Sequence, residues 1–292
     1  MSNSASPRIL ITGATGTIGR DLTAILSSRN IPFRAMVRSL DHAGKLSALP
    51  GAELVTGDFN DPSSLESALA GMERAFLLTH SSELAEKQQS TFVEVAAKTG
   101  LKHIVKLSQW AADVDSPVRF LRYHAVVENL IRDSGMTFTF LRPNLFMQGL
   151  LGFRDSIVHQ GKFFGAIGEA RVSMVDTRDI ARVAVAALTE PGHEEKTYDL
   201  TGPEALSHRD LAEKLSVALG RTIEFVDVPS EILREMLMGS GFPEWQADGL
   251  VEDYAHYKRG EAAVVSGGIF DAIMQKPTKL DAFLSDYRQF FA

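Results

Sequence analysis

The sequence has no cysteine among its 292 residues. Disulfides, thiolate nucleophiles and cysteine-held metal centres are therefore excluded, and a reducing, cytoplasmic setting is the expected one. Basic charge is also short: 30 Lys and Arg against 37 Asp and Glu leave a formal net charge of -7. That balance speaks against a nucleic-acid backbone or an anionic membrane as partner. No apolar run is long enough to span a bilayer. Residues 1–7 lack the charged start and apolar stretch of a signal peptide and read as a polar tail. The eight histidines are scattered, without the H-x-x-x-H or H-E-x-x-H spacing of a metal site, so no metal is expected. There is no Gly-x-Ser-x-Gly elbow for acyl transfer, no internal repeat and no low-complexity tract. Lys102-His103 and Lys258-Arg259 are isolated basic pairs, better read as solvated surface than as a nucleic-acid footprint.

What is present is the balance of a soluble globular chain, 45% hydrophobic and 23% charged, long enough to bury a core without covalent staples. Short apolar runs at 8–12, 32–38, 52–56, 74–79, 103–108 and 137–141 read as strands. Between them, Ile18, Leu22, Ile25 and Leu26 fall at helical spacing, and 63–70, 83–99 and 120–134 read as helices. Alternation of strands with helices through the first half predicts an α/β fold: a Rossmann-type, doubly wound parallel sheet covered on both faces. Beyond 144 the rhythm loosens. A helix over 145–160, a loop over 161–168, a strand over 171–175 and a helix over 178–188 capped by Asp176-Thr177 are expected. A strand at 197–200 is expected to return to the main sheet, and from 207 the chain reads as helical, with one strand at 223–228. The expected division is a nucleotide-binding domain over 1–150, re-entered around 170–200, and a smaller, mainly helical substrate-side lobe within 151–292.

The most informative segment is Gly13-Ala14-Thr15-Gly16-Thr17-Ile18-Gly19. A pyrophosphate needs backbone N–H groups aimed at it and no side chain in the way. Glycines between a strand and a helix supply both, and the helix N-terminus adds a favourable dipole. Gly13 would allow the tight turn, Gly16 the approach of phosphates, and Gly19 close packing of helix on strand. The spacing alone is weak; its place between a predicted strand and a predicted helix gives it weight. At the end of the second strand, NAD binders place an acidic residue for the ribose 2′-hydroxyl. This chain has Arg38, which can pair a 2′-phosphate or simply be a solvated surface residue. NADPH is thus the expected cofactor. Asp58, after the third strand, can accept from the adenine amino group or serve as a turn residue.

These residues resemble the short-chain dehydrogenase/reductase superfamily. The run from Tyr123 to Ile131, then Ser134-Gly135 and Leu141-Arg142-Pro143-Asn144, is similar to its atypical NmrA-like branch, near the quinone reductases and triphenylmethane-dye reductases. Pro243-Glu244-Trp245, Tyr257-Lys258-Arg259-Gly260 and the final helix around 283–291 extend the resemblance over nearly the whole chain. It implies an NADPH-binding fold and, in many members, reduction of quinones or dyes. Other members of the branch sense the dinucleotide and regulate a protein partner without turnover.

The superfamily's usual chemistry uses a serine after strand five and a Tyr-x-x-x-Lys pair. Ser108 is in place, but Tyr123 is followed at the fourth position by Val127, so the lysine is missing. Shifted by one, His124 and Glu128 lie a turn apart on one helical face. They form either a proton-donating pair or a contact that seats the helix. Ser108, Tyr123 and His124 are the candidate catalytic residues; Thr15, Thr17 and Ile18 join the glycines, Arg38 and Asp58 as candidate cofactor contacts. Trp110, Phe146 and Met147 are candidate pocket walls, with Trp245 and Tyr254 closing the pocket from the small lobe. A quinone or cationic dye is already electrophilic, so a missing acid counts against alcohol and ketone chemistry more than against such acceptors. Two functions follow: an NADPH-dependent reductase of a flat conjugated small molecule, or a dinucleotide-sensing regulator with a protein partner. An open aromatic pocket favours the first and a plugged one the second. Oligomeric state is left open, a homo-oligomer included.

Overall fold

The computed structural model describes residues 8–291; the reading of 1–7 as a tail lies outside them. The first half runs β1 (Ile9–Ile11), α1 (Thr17–Ser28), β2 (Phe33–Val37), β3 (Ala52–Thr56), α2 (Pro62–Leu69), β4 (Arg74–Leu77), α3 (Ala85–Thr99), β5 (His103–Leu107), α4 (Arg119–Asp133) and β6 (Thr137–Pro143). The second half runs α5 (Arg154–Gln160), β7 (Lys162–Gly165), β8 (Arg171–Val172), α6 (Thr177–Thr189), β9 (Lys196–Leu200), β10 (Leu206–Ser207), α7 (His208–Leu219), β11 (Glu224–Asp227) and α8 (Ser230–Gly239). It closes with α9 (Glu244–Lys258), α10 (Gly268–Ile273) and α11 (Leu280–Asp286).

Seven strands form one parallel sheet in the order β3-β2-β1-β4-β5-β6-β9. The chain winds outward from β1 in both directions, so the switch point lies between β1 and β4, where open α/β sheets bind ligands. Strands buried on both faces need apolar residues throughout, and β1 and β5 are buried at every position. One face carries α1 and α6, packed on each other and on Ile11, Phe33 and Val105. The other carries α2, α3 and α4 over Leu10, Leu77, Ile104 and Phe140. Start signals act as expected: the Asp61 carboxylate accepts from the N–H of Ser63 at 3.0 Å and Asp176 from that of Arg178 at 2.9 Å, each satisfying an orphan donor of the first turn.

The return strand is β9, paired with β6 at the sheet edge. Three second-half expectations are corrected. Residues 161–168 are not all loop, because β7 lies inside them and pairs in parallel with β11; Gly161, Gly165 and Gly168 mask a strand of four residues. The helix over 145–160 is split into a 3-10 turn, Met147–Phe153, and α5, since Gly149 and Gly152 weaken a continuous α-helix. The strand over 171–175 is reduced to Arg171 and Val172, antiparallel to β10, with Val175 making an isolated parallel bridge to Phe146. A third core, built on Phe163, Leu211, Leu215, Tyr257 and Phe283, joins β7, α7, α9 and α11.

Candidate active site

The chain leaves β1 and turns at once. The Thr12 hydroxyl donates to the Phe76 carbonyl at 2.9 Å and accepts from the Leu78 N–H at 2.9 Å, tying the first loop to the end of β4. Gly13 sits at φ +62°, a left-handed conformation that side chains disfavour. A Cβ there would lie 2.9 Å from Leu78 Cγ, and a Cβ at Gly19 would lie 2.1 Å from the Gly13 carbonyl oxygen. Both glycines are required by the fold itself. Gly16 is different: its Cβ would meet only the Gly13 oxygen, at 3.3 Å, and the residue is exposed. The fold tolerates a side chain there, whereas an approaching phosphate would not.

Gly16 caps α1 without a side-chain hydrogen bond, and the first turn holds no acidic residue. The N-terminal N–H groups are thus left for an anion. Thr15 and Thr17 are exposed beside them. Ile18 is buried in the core, so it offers only its backbone. Arg38 is exposed at the end of β2 and makes no ion pair among the described residues. Asp58 is exposed too, with Oδ1 accepting from the Asn60 N–H at 2.8 Å and Nδ2 at 2.9 Å. That is the turn role; its second oxygen has no partner among the described residues. A cradle that a Cβ would fill, unused helix-terminal donors and an exposed guanidinium fit a dinucleotide with a 2′-phosphate.

Leu78, which touches Gly13, also lines a cavity of about 330 Å³ at the C-terminal ends of β4, β5 and β6. Trp110 and Phe146 line it as expected, with Phe120, Tyr123 and His124 from α4 and Leu250, Asp253 and Tyr257 from α9. Three candidate wall residues do not reach it. Met147 turns into the third core. Trp245 stacks behind the wall on Phe120, with ring centroids 5.3 Å apart, under the Arg119 guanidinium. Tyr254 packs on His208 and Tyr257. Helical phase explains the last: Leu250, Asp253 and Tyr257 share one face of α9 at three- and four-residue spacing, and Tyr254 is about 100° round from Asp253. The Trp110 indole N–H donates to the Glu261 carbonyl at 3.0 Å, pinning the β5 loop to the C-terminal segment.

The wall at β5 and α4 is a buried polar network. Glu128 is fully buried and makes no hydrogen bond to His124. Its carboxylate accepts from the Ser108 hydroxyl at 2.6 Å, from Arg142 at 2.6 and 2.9 Å, and from Arg132 at 3.1 Å. Burial pushes this carboxyl up, but the hydrogen bonds from Arg142 and Ser108 outweigh it and hold it below its ordinary value. Ser108 is thereby committed to Glu128. His124 instead meets Lys106 of β5, Nζ to Nδ1 at 2.8 Å, and Nζ also donates to the Leu107 carbonyl at 3.0 Å. Burial, Lys106 and Arg142 together push the imidazole well below 6.5, so the ring is neutral at ordinary pH. Burial lowers Lys106 to about 7. Tyr123 is raised by burial to about 12, which makes its hydroxyl a poor acid.

Lys106, Arg142 and Asp253 were not among the candidates. Lys106 has a signal: it sits inside a strand buried at every position, where lysine is rarely found unless paired. Asp253 is raised by burial to about 7, against hydrogen bonds from Gln109 and Tyr257; the Gln109 amide reaches both carboxyl oxygens at 3.0 and 3.1 Å. Among the described residues no His, Cys, Asp and Glu cluster could hold a metal, and no helix is long and apolar enough to cross a membrane.

This architecture recurs in known proteins. NAD(P)H azoreductase of Xenophilus azovorans is 38% identical over 247 residues, covering 85% of this chain and 86% of that protein. The solved triphenylmethane reductase of Citrobacter sp., complexed with NADP(H), superposes with a TM-score of 0.85 at 29% identity over 95% of this chain and 99% of its own. NADPH-dependent quinone oxidoreductase from Escherichia coli, complexed with NADPH, gives a TM-score of 0.87 at 27% identity, over 96% and 99%. The NmrA-like family model matches residues 5–288, nearly end to end, and the chain accordingly belongs to that family.

Proposed function

We propose that this chain is an NADPH-dependent reductase that delivers hydride to a flat conjugated acceptor of the quinone or dye class. Kinship to an azoreductase, a dye reductase and a quinone reductase supports nicotinamide-dependent reduction. The observation that carries the finer reading is the open cavity of about 330 Å³ sharing Leu78 with the glycine loop. Ligand pockets run from roughly 300 to 1,000 Å³, so this one suits an acceptor of one or two fused rings. A regulator would need no such space, and a plugged pocket would have favoured it.

Bound NADPH supplies the hydride. The chain's own residues hold the dinucleotide at Gly13 to Gly19 with Arg38 on the 2′-phosphate. They sandwich the acceptor between Phe146 and Trp110 on the sheet side and Leu250 and Tyr257 on α9. Proximity and orientation carry most of the rate for an already electrophilic acceptor. Ordinary ketones are far less electrophilic than quinones or cationic dyes, so the same proximity and orientation carry them much less far.

The test is NADPH oxidation, read at its absorbance band, against quinones, azo and triarylmethane dyes, and simple ketones. Turnover of conjugated acceptors but not of ketones is expected. Tight NADPH binding with no turnover of any acceptor would overturn the reading and favour a regulator.

A further inference from the structure

We propose that Lys106 is a positioning residue for the reaction: it donates to Nδ1 of His124, fixes the ring proton on Nε2 facing the cavity, and makes the two residues one proton donor to the acceptor. This rests on the reductase reading above and adds the source of the proton.

The geometry is specific. Lys106 is completely buried, and its Nζ has two partners, His124 Nδ1 at 2.8 Å and the Leu107 carbonyl at 3.0 Å. Neither is a carboxylate. The nearest one, on Glu128, is occupied by Ser108, Arg142 and Arg132. Below about pH 7 Lys106 is an ammonium and has no lone pair, so it is the donor and Nδ1 the acceptor. The proton of the neutral ring is then on Nε2. That atom has no partner among the described residues and is not one of the sealed, unpaired polar atoms, so it opens into the cavity His124 lines. The missing Tyr-x-x-x-Lys pair is answered by a histidine on α4 and a lysine on the strand beneath it.

A neutral imidazole alone is too weak an acid to protonate much, although it can polarise a carbonyl. With an ammonium behind it the balance changes. When hydride has arrived at the acceptor, an anionic oxygen is left. The Nε2–H bond breaks, its electron pair stays on the ring, and the new O–H bond forms. Nδ1 takes a proton from the Lys106 ammonium, which becomes a neutral amine. After product leaves, Nε2 takes a proton from water and Nδ1 returns its own to Lys106. The pair thus acts with the acidity of Lys106, near 7. The groups bearing on it are Glu128 on α4 and Arg142 on β6, Tyr123, whose ring centroid lies 4.2 Å from that of His124, and Ser108, Asp253, His256 and Tyr257, which line the same cavity. Of these, Asp253 also titrates near 7, so it must be tested separately.

The experiment combines imidazole nitrogen NMR of the whole protein with pH profiles of turnover, using a quinone found active. Wild type should show Nε2 protonated and Nδ1 bare at pH 6, where Lys106 is an ammonium. Its kcat should fall about tenfold per pH unit above about 7, because the ammonium is lost there. Lys106→Met should lose the tautomer preference and lower kcat at pH 6 by at least about tenfold; a positioned acid is worth about 10²–10⁴. Lys106→Gln, whose amide can still donate, should keep the tautomer but lose the alkaline limb. Asp253→Asn should keep both. NADPH affinity should be unchanged throughout. Should Nδ1 carry the proton in wild type, or the limb survive in Lys106→Gln, the proposal is overturned even if quinones turn over. Absence of turnover in wild type with the expected tautomer intact would instead overturn the reductase reading.

Discussion

The two glycines of the loop that differ most in their surroundings should separate binding from folding. At Gly19 an added Cβ would meet the Gly13 oxygen at 2.1 Å and Ala14 Cα at 2.7 Å. Both are backbone atoms and cannot swing aside. Alanine in place of glycine within a helix ordinarily gains about 1 kcal/mol. Here overpacking of about 1–3 kcal/mol opposes that gain, and α1 must shift off the loop. The sign is thus decided by the clash, and Gly19→Ala should melt lower, by about 2–4 °C for each kcal/mol lost. At Gly16 the added atom has only the 3.3 Å neighbour. Gly16→Val should cost at most about 1 kcal/mol, as a poorer N-cap. Ligand at about a hundred times its dissociation constant stabilises a fold by about 2.7 kcal/mol. NADPH should therefore raise the melting temperature of the parent by several degrees and that of Gly16→Val not at all. Thermal denaturation with and without NADPH, supported by calorimetric titration, reads both effects. If Gly16→Val keeps its NADPH shift, the phosphates bind elsewhere. If Gly19→Ala melts at or above the parent, the close approach does not constrain the fold.

Other expectations are simpler to state. Arg38→Ala should bring NADPH affinity down to that of NADH, a loss of about ten- to a hundredfold for a charge-assisted contact, measured by titrating both cofactors. Leu250→Trp should fill the cavity and raise the KM for acceptor while leaving NADPH binding intact; an unchanged KM would move the acceptor site. His208 lies among Phe163, Phe225 and Tyr254, and burial lowers it to about 4. Below pH 6.5 the unfolded chain takes up a proton that the folded one refuses, so stability drains away as pH falls from 6.5 toward about 4. At pH 5 the loss is about 2 kcal/mol. His208→Phe should flatten that part of the urea-midpoint profile, and an equally steep profile would assign the sensitivity to other groups.

The first half of the fold was legible because each strand is a short apolar run and α2, α3 and α4 carry a capping side chain or a closing glycine, while α1 shows in the helical spacing of Ile18, Leu22, Ile25 and Leu26. The glycine loop was legible because its spacing falls between two such elements. The second half blurs where glycines interrupt: β7 hides between Gly161 and Gly168, and a helix expected through Gly149 and Gly152 is broken there. Cavity-lining residues were legible where backbone direction alone places them, as with Trp110 after β5 and Phe146 after β6. They were not where helix phase decides. Trp245 and Tyr254 share a helix with the residues lining the cavity but point away from it. His124 and Glu128 share a face of α4, yet each found its partner across the sheet, on Lys106 of β5 and Arg142 of β6. Spacing within one helix says nothing of such pairings.

The central claim is that hydride passes from NADPH in the glycine loop to an acceptor in the adjoining cavity. Single-turnover oxidation of NADPH, unlabelled and deuterated at the transferring position of the nicotinamide, tests it most directly when enzyme is mixed with a quinone or triarylmethane dye. The account predicts rapid oxidation that depends on the acceptor, slowed by deuterium and, at acceptor below its KM, strongly slowed in Leu250→Trp with NADPH still bound. Oxidation unaffected by that substitution, or no oxidation with any acceptor while NADPH is held, would contradict it.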